Sequence, residues 1–510
     1  MRPRGLVYGT ALLLVSNIFV KGLGFFYRVA LVRLLGAEGI GLVEMVTPIY
    51  SFLLVLAGLG LQPALAQCVA GSGGPRAGLY FRAALLTLTL SGLLMTVLAG
   101  LFSPWLAQYF ATDDRIALSL RLVLPAILII SLASAWRGWF QGRRELGALG
   151  MSQNIEQVLR VVLGLLLVRS LLGRGLVTAA AGVSLATVVG ELAGFIYLIV
   201  RRLLQGRARG SGSGWGHEQD GYWSASQLLA AARQLLSYGM PITGGRLVNS
   251  VIMLLQAYLI PFCLQQAGYS IPAATEIYGR FSGVALTLLH LPGVFAAALA
   301  TAVMPAVAQN MRQPQALRLC IVRPLQATII CTLPSMAVLL VYAAPLCAGL
   351  FNNAPAAPIL RWLCLGGVFF YMQFTLAAVL QGLGEVRRLL VNNLAAGIVL
   401  LLGIVLLVPL PGLGVYGAAI AADLSWLCGF VLHLDAVRRR VGLSLPWGRL
   451  LGLPLLGVGA GGAVWYLLHI LTAQAGLSGG RSALLGLGGA ALCYGVFLLL
   501  ALAGRSGVRK

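Results

Sequence analysis

Apolar runs long enough to cross a bilayer, where ~20 residues suffice, follow one another along almost the whole chain. They fall at approximately 6–35, 42–69, 79–102, 117–140, 151–171, 176–200, 237–261, 280–306, 320–344, 358–380, 388–409, 414–436, 450–471 and 482–503. This pattern predicts an all-α polytopic membrane protein with fourteen transmembrane spans. The first span breaks its own pattern: Lys21 and Arg28 lie inside it and Arg33 near its exit. Lys21 and Arg28 are seven residues apart, so at 3.6 residues per turn they share a face. A cation at mid-membrane costs roughly 2.5–3.5 kcal/mol on insertion scales, and such residues usually face a partner or a water-filled cavity. With Gly22 and Gly24 beside them, the pair reads as the cationic wall of an internal cavity built to meet an anion. The plainer alternative, snorkelling to the interface, fits Arg33 best.

Composition agrees with the pattern. The 510 residues are 59% hydrophobic and 10% charged, with a mean hydropathy of +0.92, which excludes a soluble domain. The net charge of +23 would suggest nucleic acid on a soluble protein, but here most basic residues gather at the termini and in every second loop. That alternation places both termini on the cytoplasmic side of the cell membrane and makes anionic headgroups, not nucleic acid, the partner of the charge. Arg2 and Arg4 precede a span too long and too charged for a cleaved signal peptide. Eight cysteines include no C-x-x-C pair, and no metal site, cofactor motif or catalytic constellation is signalled.

The Gly/Ser-rich stretch at 205–222 is the one linker, and it divides the chain after six spans. Ser224 with Gln227 then reads as a capping box opening a short amphipathic segment. Two motifs recur at almost one offset: P-A-L-A-Q (63–67) with P-A-V-A-Q (305–309), and Q-G-x-x-E at 141–145 and at 381–385. Copies six spans apart have the same orientation, which predicts two six-helix lobes related by an axis along the membrane normal. The expected organisation is an N-lobe (1–204), a cytoplasmic linker with an interfacial helix (205–236), a C-lobe (237–441) and two appended helices (442–510).

Other polar residues sit within spans. In the fifth, Gln153, Glu156 and Arg160 share a face, and Glu156 and Arg160 are spaced for an i,i+4 ion pair that either closes a helix junction or contacts substrate. In the seventh, Arg246, Asn249, Met253 and Gln256 form one stripe with no carboxylate between Asp220 and Glu276. Glu44, Glu191 and Asp423 stand alone in their spans, each as a counter-ion or as a proton or cation site. The counter-ion role suits Glu44, whereas Asp423 with Asn392 and Gln256 is the candidate cation site.

The residues K-G-L-G-F-F-Y-R-V-A-L-V-R-L-L-G-A-E-G-I-G-L (21–42), R-G-W-F-Q-G-R-R (137–144) and S-Q-N-I-E-Q-V-L-R (152–160) resemble the stage V sporulation protein B family. So do I-Y-G-R-F-S-G (277–283), P-G-V-F (292–295) and V-M-P-A-V (303–307), and the resemblance spans roughly 5–440. That family of polysaccharide and lipid-linked-sugar exporters belongs to the multidrug/oligosaccharidyl-lipid/polysaccharide flippase superfamily, with the lipid II flippases and the multidrug and toxin extrusion transporters. The resemblance implies alternating access and a cavity in which Lys21, Arg28 and Arg280 meet a lipid pyrophosphate, with Lys21 standing where relatives usually carry arginine. Some relatives hold an acid on the seventh helix in a sodium site; this chain has none there.

The expected function is a flippase moving an undecaprenyl-pyrophosphate-linked sugar, of the peptidoglycan-precursor type, to the outer face. Substrate contacts are expected from Lys21, Arg28, Arg280 and Arg246, with Glu44, Glu156, Arg160, Asn249 and Gln256 in support. Membrane lipids and cell-wall synthesis proteins are the expected partners. Two rivals remain: a drug/cation antiporter on the same scaffold, which calls for an acidic, aromatic cavity, and a non-transporting scaffold for wall or spore-coat assembly, which needs no buried cations.

Overall fold

The computed structural model describes residues 3–72, 75–110, 112–208, 223–442, 447–474 and 494–495. They are helical, with no strand among the described residues, and nine stretches of them are long and apolar enough to cross a membrane. The last predicted span, 482–503, lies almost wholly outside them.

The chain divides into two compact units. The first comprises Met1–Val284, Gly349–Asn353 and Ile404–Gly417. It contains α1 (Pro3–Gly58), α2 (Leu61–Gly71), α3 (Pro75–Leu101), α4 (Ser103–Phe110), α5 (Ala117–Val123), α6 (Pro125–Gly142), α7 (Leu146–Leu171), α8 (Leu176–Ala208), α9 (Ala225–Gln266) and α10 (Ile271–Tyr278). A π-helical stretch, Gly279–Ala285, follows α10. The second unit holds α11 (Leu286–His290), α12 (Gly293–Asn310), α13 (Pro314–Val341), α15 (Ala357–Gly382), α18 (Trp447–Gln474) and most of α14 (Ala343–Phe351), α16 (Val386–Leu407) and α17 (Val415–Val441).

Helix α1 contains the first predicted span and most of the second, whose end falls in α2. They meet at Gly36, whose φ of 70° is a left-handed value that glycine adopts without a Cβ clash. Arg28 and Glu44 lie eight residues to either side of it. Sixteen residues of straight helix would hold them ~24 Å apart, yet their side chains are 2.6 Å apart. The two limbs therefore fold back on each other. The Ser224–Gln227 capping box forms as read, with Gln227 N donating to Ser224 Oγ at 3.3 Å and Ser224 N to Gln227 Oε1 at 2.9 Å. The helix it opens runs on for 42 residues without a break before 237, and Ala231 and Leu235 are buried in the first unit's core.

The duplication is visible in local geometry. In Q-G-R-R-E, Glu145 N donates to Phe140 O (2.9 Å) and Arg144 N to Gln141 O (3.0 Å). In Q-G-L-G-E, Glu385 N donates to Leu380 O (2.9 Å) and Gly384 N to Gln381 O (3.1 Å). Both turns pivot on a left-handed residue, Arg144 (φ 61°) or Gly384 (φ 76°), the αL cap that satisfies a helix's last carbonyls. Short 3₁₀ turns at Asp114–Ile116 and Ala354–Ala356 repeat at the same spacing. Each unit has its own core: Leu65, Phe81, Trp136, Trp139 and Phe140 in the first, and Val307, Ile321, Leu325, Leu376 and Val379 in the second.

Candidate functional site

Most of the candidate cations belong to the first unit, where α1 packs on α9 and α10. The approach of α1 to α10 depends on small residues. A Cβ on Gly41 would overlap the backbone of Thr275, and one on Gly279 the backbone of Ala37. This closeness brings the π-helical stretch against the second limb of α1.

Arg28 Nη1 meets Glu44 Oε1 at 2.6 Å, and Ser282 Oγ donates to Glu44 Oε2 at 2.7 Å. Tyr278 is buried beside them. Glu44 is enclosed, with 11% of its side chain exposed, whereas Arg28 remains open on one side at 32%. Arg280, at the start of the π-helical stretch, pairs with Glu276 at 2.5 Å, one turn back. Lys21 and Arg246 are exposed and have no ion-pair partner among the described residues; Asn249 is exposed and Gln256 half-buried on the same helix as Arg246. Arg33 does not snorkel: its guanidinium donates to the carbonyls of Gly349 and Leu350, the last turn of α14, where a cation also meets the negative end of the helix dipole.

A second charged cluster lies where α6, α7 and α8 meet. Glycines on α8 permit the approach: a Cβ on Gly190 would stand 2.9 Å from Glu156 O, and one on Gly194 3.1 Å from Ser152 O. Arg160 Nη2 reaches Glu156 Oε1 (2.5 Å) and Glu191 Oε1 (2.8 Å). Arg137 Nη2 reaches Glu156 Oε2 (2.9 Å) and Glu191 Oε2 (3.3 Å). Two carboxylates and two guanidiniums thus neutralise one another, all largely enclosed. The predicted Glu156–Arg160 pair is present. Glu191 does not stand alone as its span suggested, and Arg137, counted by sequence among the loop charges, is an interior member of the cluster. The counter-ion role open to Glu191 is the one it takes, whereas Arg137 was missed because its partners come from other helices.

A third ion group ties α1, just past its fold at Gly36, to the loop before α5. Asp113 caps the 3₁₀ turn and accepts from Arg115 Nε (2.9 Å) and Thr275 Oγ1 (2.8 Å), while Arg115 Nη1 reaches Glu38 at 2.6 Å. Burial of Asp113 opposes ionisation, but the hydrogen bonds from Arg115 and Thr275 outweigh it and hold the carboxyl below the usual carboxylate range.

Of the candidate cation site, Asp423 and Asn392 do not meet within the second unit. Asp423 lies against Gly366 in the second unit, with Oδ1 buried and lacking a hydrogen-bond donor among the described residues. Asn392 instead meets His433 Nδ1 at 3.1 Å, ten residues and about 15 Å further along α17. Gln256 belongs to the first unit. No group of three or more His, Cys, Asp or Glu able to hold a metal occurs among the described residues. The second unit also holds a cavity of about 620 Å³ lined by Leu291, Pro292, Pro334, Val338, Tyr342 and Gly461, nearly all apolar.

Sequence reasoning did not find Glu276 or Ser282. The first carried a signal, four residues before Arg280 on a helix. The second carried none, because its partner Glu44 is 238 residues away.

Two families match the chain: Polysaccharide biosynthesis protein over residues 6–311 and MatE over residues 282–408. Stage V sporulation protein B of Bacillus subtilis (strain 168) is similar at 30% identity over 456 residues, 87% of this chain and 86% of its own length. Lipid II flippase MurJ of the same organism is 22% identical over 462 residues, 86% of this chain and 84% of its own. A solved structure of lipid II flippase MurJ in an inward closed conformation has a TM-score of 0.71 at 14% identity, covering 98% of this chain and all of that one; at this identity the likeness concerns the fold.

Proposed function

Since the chain belongs to the polysaccharide biosynthesis protein family, we propose that it is a flippase for an undecaprenyl-pyrophosphate-linked sugar, of the peptidoglycan-precursor type. It moves this lipid from the cytoplasmic to the outer face of the cell membrane, with both termini cytoplasmic. Its resemblance to stage V sporulation protein B and to a lipid II flippase supports the class of substrate.

The observation that carries this reading is the set of cations on α1 and α9 whose charge the protein leaves partly or wholly unbalanced. Lys21 and Arg246 have no counter-ion among the described residues, and Arg28 has one side open. An unbalanced cation within the bilayer is costly, so a protein that keeps several has an anion for them. A diphosphate suits them: its oxygens cannot enter hydrocarbon without replacement of their hydration, and charge-assisted contacts to Arg and Lys supply that replacement. The polyprenyl tail stays in the lipid throughout, and no bond is made or broken. Arg280 joins the set through the Y-G-R motif, its pair with Glu276 exposed enough to be exchanged for phosphate.

The test is the arrival of lipid-linked precursor at the outer face in cells depleted of their own lipid II flippase. Full-length protein is expected to restore it and the Lys21→Gln/Arg28→Gln variant to fail. Full restoration by the charge-neutral variant would remove the cationic site from the mechanism.

A further inference from the structure

The pairing of Arg28 is uneven in a way that suggests a role for its partner. A guanidinium presents five N–H donors in a planar fork suited to two parallel bonds with a carboxylate or phosphate. Arg28 uses one arm, Nη1, for Glu44, and has no other ion-pair partner among the described residues. Glu44 is held from the opposite side by Ser282, so its carboxylate stays in place independently of Arg28. The carboxylate is the enclosed member of the pair and the cation the open one. A pair whose purpose was to staple the two limbs of α1 would gain most from enclosure of the cation, as in the α6–α7–α8 cluster, where each guanidinium is largely enclosed and touches two carboxylates.

We propose that Glu44 is a built-in competitor for the substrate: it occupies Arg28 in the resting protein and yields that cation to an arriving diphosphate. This rests on the reading of Arg28 as a diphosphate contact. A diphosphate carries more negative charge than a carboxylate and can engage the open arms of the fork before Glu44 lets go, so the exchange needs no fully unpaired intermediate. Ser282 keeps a hydrogen bond to the released carboxylate, lowering the cost of its separation. Two consequences follow. Stray monovalent anions do not displace Glu44, so the site discriminates by charge. And Glu44 limits how tightly the headgroup is held, which a transporter requires if it is to release its cargo. Tyr278 lies beside Glu44 and Arg28 on the adjoining element, where Arg280 and Glu276 pair with each other.

The experiment is equilibrium binding of farnesyl diphosphate, and separately of inorganic pyrophosphate, to the purified full-length protein in detergent. Glu44→Gln is expected to bind both probes about tenfold more tightly than the unaltered protein, because the amide cannot compete for Arg28. Arg28→Gln is expected to lose most of the binding with or without the change at 44. Glu44→Asp keeps the charge, and so the fold, on a shorter side chain; it is expected to bind with intermediate strength. Equal or weaker binding by Glu44→Gln, or by Glu44→Asp should the amide variant not fold, overturns the competitor role while a loss in Arg28→Gln leaves the site reading intact. Unchanged binding in Arg28→Gln overturns both. Tighter binding of farnesyl diphosphate alone would place the effect on the tail and also contradict the proposal.

Discussion

Two of the Arg–Glu groups in the first unit use the same chemistry to opposite ends. Where α6, α7 and α8 meet, Arg137, Glu156, Arg160 and Glu191 saturate one another, two charges against two. At the Gly36 fold of α1, Arg28 meets Glu44 through a single arm and stays one-third exposed. The first arrangement is balanced in charge and largely enclosed. The second keeps donors free on the helix that also carries Lys21; Lys21 and Arg246 have no counter-ion among the described residues. Ion pairs within a membrane protein are therefore not equivalent markers of function; what separates these two is whether the cation is enclosed among carboxylates or left open on one side.

The comparison predicts graded effects. The largest comes from breaking the closed cluster. Arg160→Gln or Glu191→Gln leaves an uncompensated buried charge and should cost about 3–5 kcal/mol of stability, seen as an early thermal unfolding transition in detergent; a transition unchanged from the parent would show the cluster is not structural. Next is Gly279→Val, which forces a side chain into the backbone of Ala37 and should cost about 1–3 kcal/mol. It should also weaken the effect of Glu44, because Ser282 is carried away from it, and diphosphate affinity measured in the same protein would reveal that shift. Arg28→Gln should cost only about 1–2 kcal/mol while abolishing transport, reversing the order of effects seen in the closed cluster; a transport-competent Arg28→Gln protein would erase the distinction.

The smallest effect concerns Asp113. Its carboxyl is held below the ordinary range in the folded protein, so its contribution is present above the unfolded value, ~3.9, and is lost as pH falls through the lower folded value. The stability difference between the parent and Asp113→Asn, about 1 kcal/mol, should then be constant from neutral pH down to about pH 5 and shrink only in stronger acid. A difference that vanished between pH 7 and pH 5 would contradict that pairing.

Much of this was legible from local pattern. The helical, membrane-spanning class, the i,i+4 pair of Glu156 with Arg160 and the shared Q-G-x-x-E turns depend on neighbours in sequence and appear in the structure, where nine stretches of the described residues are long and apolar enough to cross a membrane. Arg137 was misplaced because counting loop charges cannot tell a residue at a helix end that faces water from one that faces its own bundle. Glu191 acquired partners only through glycines that let α8 approach α7. Arg33 found two backbone carbonyls more than 300 residues away, which no periodicity encodes. Asp423 and Asn392 are polar neighbours in composition, but on adjacent helices they lie at different heights, a matter of register that spacing within one helix cannot supply.

The account rests on the cations of α1 accepting a diphosphate headgroup, and the most direct measurement is translocation in vesicles containing only this protein and a lipid-linked diphosphate sugar. Transfer of the headgroup to the opposite leaflet is expected with the unaltered protein and is expected to fall to the protein-free rate with Lys21→Gln/Arg28→Gln. Equal transfer by the two proteins would contradict it.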